Sequence, residues 1–428
     1  MTLAPGHFHA ALVLKEMLPE VYARTYVYAP LNADTLDYVE RVAAFNARRF
    51  TPTHWELDLR AGANYFERFL REQPGNAVVI AGRNRIKIDQ MLAAATNACH
   101  ILADKPWVIR AEDFPKIAKV YEQADLRETL VWDMMTERHE ITTVFQRHIV
   151  QDRNLLGELL PGTPEEPTLE LASTHYLNKV VTGVPLWRPA WYFDPAESGI
   201  SIADVGAHLA DMSLWMLFPD EAIDFATQIE MLSAKAWPTP LTLEQFSIIT
   251  GKHEWPDSIP LPLDNGVLQY AGNGTTTYTV RGLHIKYTCL WEYQAPPGGN
   301  DTHYAVARGS LARTTVRTER TSNGQTRPEL YVAANTPELR PAVAKALAER
   351  MKQWQNRYPG VKAEDRGDEI HIAIPDRFRT QHEEHFAEVL DEFLRHARNP
   401  RRALNTEMKN SQAKYYITTQ AVKLATGE

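Results

Sequence analysis

Two cysteines in 428 residues are too few for a disulfide framework. Cys99 and Cys289 are also too far apart for a zinc knuckle. Both sit among apolar neighbours, which predicts buried thiols. No stretch approaches the roughly 20 apolar residues of a membrane-spanning helix. A predicted strand begins almost at Met1, leaving no room for the charged and apolar regions of a secretory signal. The cytoplasm is therefore the expected compartment, with a trimmed leader as the alternative. Blocks of like charge are missing too. Lys and Arg are scattered among acids and the formal net charge is −8, so neither nucleic acid nor a membrane surface is expected as partner. Repeats and low-complexity tracts are not found.

The chain does have enough material for two cores. At 428 residues it exceeds one ordinary domain, and 44% hydrophobic with 23% charged residues is the balance of a globular protein. Up to about residue 138, β-rich runs (3–6, 25–29, 76–81, 100–103, 129–132) alternate with helical spacing (10–17, 36–49, 86–98, 114–124). That alternation predicts a Rossmann-type, doubly wound parallel sheet over 1–138. From 139 to 404 the texture is α+β. Runs at 168–173, 266–270, 275–280, 284–290 and 313–316 predict a mostly antiparallel open sheet, with Asn273-Gly274 read as a hairpin turn and 322–324 as a loop. One helix at 202–217 interrupts them, and 337–358 and 382–398 read as surface helices. A last helix within 405–428 is expected to pack back on the first domain.

Four constellations could carry chemistry. Ala4-Pro5-Gly6-His7-Phe8-His9-Ala10 is a strand, a turn and a helix start, which together make an anion site because free N–H groups face the ligand. Of the dinucleotide fingerprint G-x-G-x-x-G only Gly6 survives, at the place of closest backbone approach. His7-x-His9 is a metal-ligand spacing, but it enters a helix and no ordered set of further ligands follows, so no metal is expected. Asp104-Lys105-Pro106 ends an apolar strand and places Lys105 at the carboxyl edge of the sheet, where its ammonium can stabilise charge developing on an alcohol oxygen. In Asp204-Val205-Gly206-Ala207-His208-Leu209-Ala210-Asp211, helical spacing puts Asp204, His208 and Asp211 on one face. A carboxylate beside His208 would raise its basicity, as a general base near neutral pH requires. Finally, the stretch 175–191 holds His175, Lys179, Trp187, Arg188 and Trp191, and a loop holds Asp301 and His303. Charged hydrogen-bonders beside aromatic faces suit a sugar ring. His382-Glu383-Glu384-His385 reads as a solvated helix face.

Taken together these segments resemble the glucose-fructose oxidoreductase and inositol dehydrogenase family, usually written Gfo/Idh/MocA. Its E-K-P motif is matched by Asp104-Lys105-Pro106 and its D-x-G-x-H helix by Asp204-Val205-Gly206-Ala207-His208. Of its P-N-x-x-H stretch only Asn84 is kept. A branch with its own oxidoreductase C-terminal domain is similar more closely, through Pro5-Gly6-His7-Phe8-His9, Met135-Thr136-Glu137-Arg138, Arg188-Pro189-Ala190-Trp191, Trp237-Pro238-Thr239 and Lys414-Tyr415-Tyr416. The resemblance implies a nicotinamide cofactor held by Gly6, His7, Phe8, His9, Asn84, Asp104, Lys105, Glu137 and Arg138. It implies Lys105, Asp204 and His208 as the catalytic set, with His175, Lys179, Arg188, Trp191 and His303 toward the substrate. A small-molecule sugar or glycoside and assembly as a homodimer or homotetramer are expected with it.

Strand two runs into Tyr28-Ala29-Pro30, without the acid that would read ribose hydroxyls, and Asp34 and Asp37 come late, so the resemblance's NAD is expected with NADP left open. Three readings follow. The first is a dehydrogenase of a sugar ring hydroxyl, with C3 of a glucoside as the assigned position. The second is a redox-assisted glycoside-cleaving enzyme that recycles its cofactor. The third is a non-catalytic sugar-binding protein with a lapsed cofactor site.

Overall fold

Short apolar runs form the centre of the first sheet because strands buried on both faces must be apolar throughout. In the computed structural model, which describes residues 1–181, 184–297, 299–321 and 324–427, the strands of this sheet are β1 (Thr2–Leu3), β2 (Arg24–Ala29), β3 (Glu56–Ala61), β4 (Ala77–Ile80), β5 (His100–Ala103) and β6 (Val131–Asp133). Helices α1 (His9–Leu12), α2 (Ala33–Ala47), α3 (Tyr65–Glu72), α4 (Asn84–Thr96) and α5 (Pro115–Leu126) connect them. The strands lie parallel in the order β3-β2-β1-β4-β5-β6. The order reverses between β1 and β4, and ligands of open α/β sheets bind outside the strand ends at such a switch point. β3 was not read from the sequence. Its Glu-Leu-Asp-Leu-Arg-Ala alternates on an outer edge of the sheet instead of forming an apolar run.

Among the described residues the second sheet has ten strands and is antiparallel except where the strand Leu283–Gln294 runs parallel to β7 (Leu169–Asn178). Along Leu283–Gln294, Ile285, Tyr287, Cys289 and Trp291 point inward at period two, which buries the Cys289 thiol among core side chains. Cys99 is buried in the first domain's core. Asn273-Gly274 is not a turn: both lie inside one strand, Val267–Val280, and the reversal comes at Arg281-Gly282. Tertiary packing demands the pair there. Asn273 accepts from the Trp291 N–H at 2.9 Å, and a Cβ on Gly274 would meet Ile202 Cγ1 at 2.4 Å. Of the loop predicted at 322–324, Ser322 and Asn323 lie outside the described residues.

Helix Ser201–Leu217 crosses this sheet, and Gly206 lets it settle, since an added Cβ would lie 3.0 Å from the Tyr287 hydroxyl. The terminal helix Pro400–Thr426 lies between the two domains. Ala413, Ile417 and Ala421 join the second core, while Tyr415 joins the first and stacks on Trp107 at 5.2 Å. No helix among the described residues is long and apolar enough to cross a membrane.

Candidate functional site

β5 ends where Asp104 and Lys105 begin, so both side chains stand at the carboxyl edge of the sheet. Lys105 Nζ donates to Asp204 Oδ1 at 2.5 Å, joining the first domain to the first turn of Ser201–Leu217. Burial disfavours both charges. Asp204 and Asp104 outweigh that cost for Lys105 and keep its pKa above the ordinary value, while Lys105 holds Asp204 below its own. This is a charged pair at neutral pH, and its carboxylate also sits where a helix N-terminus favours an anion.

The expected carboxylate partners of His208 are elsewhere. Asp204 serves Lys105. Asp211 accepts from Arg138 at 2.7 Å through both oxygens and from Lys414 at 3.1 Å. His208 is buried, its Nδ1 finds no partner among the described residues, and burial followed by the Lys105 charge push its pKa down to about 3. Shared helical face predicted proximity correctly but not pairing, because stronger charges from other elements claim each carboxylate. The imidazole is therefore neutral.

The sign of its linkage follows. Above the ordinary histidine pKa, about 6.5, His208 is neutral in folded and unfolded chains alike. As pH falls toward about 3 only the unfolded chain takes the proton, so stability is lost across that window. His208→Gln is expected to make the decline in melting temperature between pH 6.5 and 4 shallower; an identical slope would exclude His208 as a contributor.

The β1–α1 loop meets this pair from the switch point. Gly6 and His7 N–H both donate to Ala81 O, at 3.1 and 3.0 Å, while Phe8 and His9 N–H find no acceptor among the described residues. The loop needs the close approach of Gly82, where a Cβ would lie 2.2 Å from Ala4 O. Gly82→Ala is expected to cost about 1–3 kcal/mol by overpacking, measured as a lowered melting temperature; an unchanged one would mean that the loop yields freely. Asp104 is 1% exposed and accepts from His7 Nδ1 at 2.8 Å and from His9 Nδ1 at 3.0 Å. The third partner of the His-x-His pair, unseen in sequence, is thus Asp104, which is about 95 positions away.

Lys105, Asp204, His208, Glu137, His175, Lys179, Arg188 and His303 line one cavity of about 1740 Å³ that also reaches Trp291 and His382. Glu137 lies 3.6 Å from His382 Nδ1. His382, His208 and His303 outweigh its burial and hold the carboxyl well below its usual range. Asp301 Oδ2 accepts from His175 Nδ1 at 3.0 Å and from Lys179 Nζ at 2.5 Å, and His175 Nε2 bonds the Ser173 hydroxyl at 2.9 Å. Ser173 is paired on both sides within the sheet. The row is suited to holding hydroxyl groups. Trp291 stacks on His175 at 4.9 Å, and the Arg188 guanidinium lies over Tyr192 and Trp291.

Five of the expected site residues do not line this cavity. Gly6 and Asp104 lie in the loop contacts described above, and Arg138 is committed to Asp211. Asn84 donates to Ser198 O and accepts from Lys87 Nζ, both at 2.7 Å, tying α4 to the segment before the site helix. Trp191 lies in the neighbouring crevice with Gly6 and Phe8; its indole N–H reaches both oxygens of Asp34 at 3.2 Å, and Arg83 covers its ring. His385 is not on a solvated face: it is buried and bonds Thr380, because the helix His385–Ala397 packs Phe386, Val389 and Phe393 into the first domain, while the His382 side chain stays 41% exposed at the cavity. Trp291 escaped the sequence reading, since an isolated aromatic looks the same in a core and in a cavity wall.

A parallel sheet with a crevice at its switch point, joined to an open antiparallel sheet whose polar cavity meets that crevice, defines a two-domain α/β architecture of the oxidoreductase type. Residues 145–426 match the family described as "Putative oxidoreductase C terminal domain", and the chain belongs to that family. A crystal structure of a "putative oxidoreductase" from Parabacteroides merdae is 37% identical, with TM-score 0.95 over 100% of this chain and 97% of that one. More distant structures share the fold. One is a levoglucosan dehydrogenase in complex with NADH and levoglucosan (15% identity, TM-score 0.57, 99% of this chain and 97% of that). Another is a 3-ketoreductase from Actinomadura kijaniata in complex with NADP and TDP-benzene (13%, 0.56, 100% and 96%). No protein with a curated description matches the sequence.

Proposed function

We propose that the chain is an NAD(P)-dependent dehydrogenase of the Gfo/Idh/MocA type acting on a ring hydroxyl of a sugar or glycoside, with C3 of a glucoside as the assigned carbon. The observation that carries it is the charged Lys105–Asp204 pair beside neutral His208, set where the switch-point crevice opens into a cavity of hydroxyl-binding and aromatic groups. The residues fit a dinucleotide, since Phe8 and His9 offer unpartnered N–H groups at the loop. Likeness in fold to a dehydrogenase and a 3-ketoreductase that bind NADH and NADP supports the same reading.

Bound nicotinamide supplies the hydride acceptor. Lys105 donates a hydrogen bond to the hydroxyl oxygen and stabilises the charge that grows there, with Asp204 fixing the ammonium. His208, neutral and short of a partner at Nδ1, takes the hydroxyl proton, its basicity rising as the Lys105 charge that depresses it is neutralised by the oxygen losing that proton. Asp301 holds His175 and Lys179 in place to bind the remaining hydroxyls, and Trp291 with Arg188 offers flat faces to the ring.

A second reading is favoured by the closure of the crevice. Trp191 bridges from the second domain to Asp34 under Arg83, which would retain a cofactor between turnovers. That arrangement suits a redox-assisted glycoside-cleaving enzyme that recycles its cofactor and forms no net NADH. Protein denatured after purification is expected to release NAD(H) or NADP(H), seen by mass spectrometry, or else to melt higher when either is added. Failure of both would sink the oxidoreductase reading and leave a sugar-binding protein. Product analysis with a glucoside then separates the two enzymes, as ketoglycoside with NADH or as freed aglycone without it.

A further inference from the structure

We propose that His7, His9 and Asp104 form a binding site for one divalent transition-metal cation of the zinc class, at the junction of the crevice and the cavity. A ligand atom from each of the three lies within 4.8 Å of the other two. The two imidazoles stand with ring centroids 4.0 Å apart, and each turns Nδ1 to a different oxygen of the same carboxylate.

The electrostatics call for a cation there. Asp104 is 1% exposed, and among the described residues its ion-pair partners are these two histidines alone. The neighbouring Lys105 ammonium is committed to Asp204. A carboxylate buried this deeply, with no lysine or arginine in ion-pair contact among the described residues, is costly to hold. A divalent ion would remove that cost.

The donor set selects the kind of ion. Two imidazole nitrogens and one carboxylate oxygen suit Zn²⁺, Co²⁺, Fe²⁺ or Mn²⁺ better than the all-oxygen preference of Mg²⁺ or Ca²⁺. To bind at Nδ1 each ring moves its proton to Nε2, so no net proton need leave. Three protein ligands leave a coordination position open. Both histidines line the large cavity, and His382 stands next in line with its ring 5.6 Å from that of His9.

The inference is independent of the proposed function, because binding is read with the metal alone. Untagged full-length protein, stripped with chelator, would be titrated with Zn²⁺ by calorimetry and with Co²⁺ by visible absorption. Expected is one ion per chain, with Co²⁺ bands of a nitrogen-containing site, and affinity weakened more than tenfold in His9→Gln and in Asp104→Asn. His253→Gln, at an exposed histidine elsewhere, should leave it unchanged. Absence of saturable binding to the native chain, or equal affinity in His9→Gln and native protein, would overturn the site. Should His9→Gln fail to fold, His7→Gln at the more exposed ring decides by the same criterion.

Discussion

His208→Ala is expected to lower kcat of sugar oxidation by roughly 10²–10⁴, the range for loss of a positioned general base. Lys105→Met is expected to fall comparably, since it removes the hydrogen bond to the oxygen on which charge develops. The two residues are coupled. Burial and the Lys105 charge together depress His208 to about 3, so in Lys105→Met the histidine should titrate nearer its ordinary value. Histidine NMR would read this without turnover. Because Lys105 and Asp204 pair at 2.5 Å, the double variant Lys105→Met with Asp204→Asn should lose less than the sum of the single losses. Full additivity would show that the pair does not act as a unit. An unchanged rate in His208→Ala would remove it from the chemistry and turn attention to Glu137.

The second large effect concerns stability. Lys414, in the terminal helix, is fully buried and bonds Asp133 at 2.8 Å and Asp211 at 3.1 Å. Asp133 ends β6 in the first domain and Asp211 belongs to the site helix, so this ammonium joins three elements. Lys414→Met keeps the length of the side chain but leaves two buried carboxylates short of a partner. The expected cost is about 3–5 kcal/mol, as for breaking a buried ion pair on one side. Arg138 remains on Asp211 and Tyr415 on Asp133 at 2.5 Å, which keeps the loss within that range. Denaturant melts would measure it, and a loss under about 1 kcal/mol would mean that the network relaxes or protonates instead. Asp211 gives the variant a pH signature. With its pKa down to about 2 in the folded chain, its contribution is present above the ordinary carboxylate value and lost as pH falls. Lys414→Met should therefore lose less stability between pH 5 and 3 than the native protein.

Much of this molecule could be read in one dimension. Runs such as Ala77–Ile80 and His100–Ala103 declare a parallel sheet because burial on both faces demands continuous apolar sequence. The spacing of Asp204 and His208 declares a helix with both on one face. Local rules failed where distant packing set the terms. Asn-Gly favours a hairpin turn in isolation, yet Asn273-Gly274 continues a strand, since Trp291 needs the amide oxygen and Ile202 needs the missing Cβ. The stretch 382–385 is polar and looks solvated, yet His385 is buried by the folding of its helix against the first domain.

The sequence by itself determined the two-domain α/β architecture, with Lys105 at a strand end and Asp204 and His208 four apart on one helix; all three line one cavity. Periodicity and strand termini are local properties, and a chain carries them wherever it goes. Only the tertiary structure decided which charge answers which. It gave Asp204 to Lys105, Asp211 to Arg138 and Lys414, and Asp104 to the two histidines, and it left His208 neutral. Pairing in a buried site is a competition among groups that may lie some 200 positions apart in sequence, as Asp211 and Lys414 do. Its outcome depends on distance and desolvation, and neither is a property of any local segment.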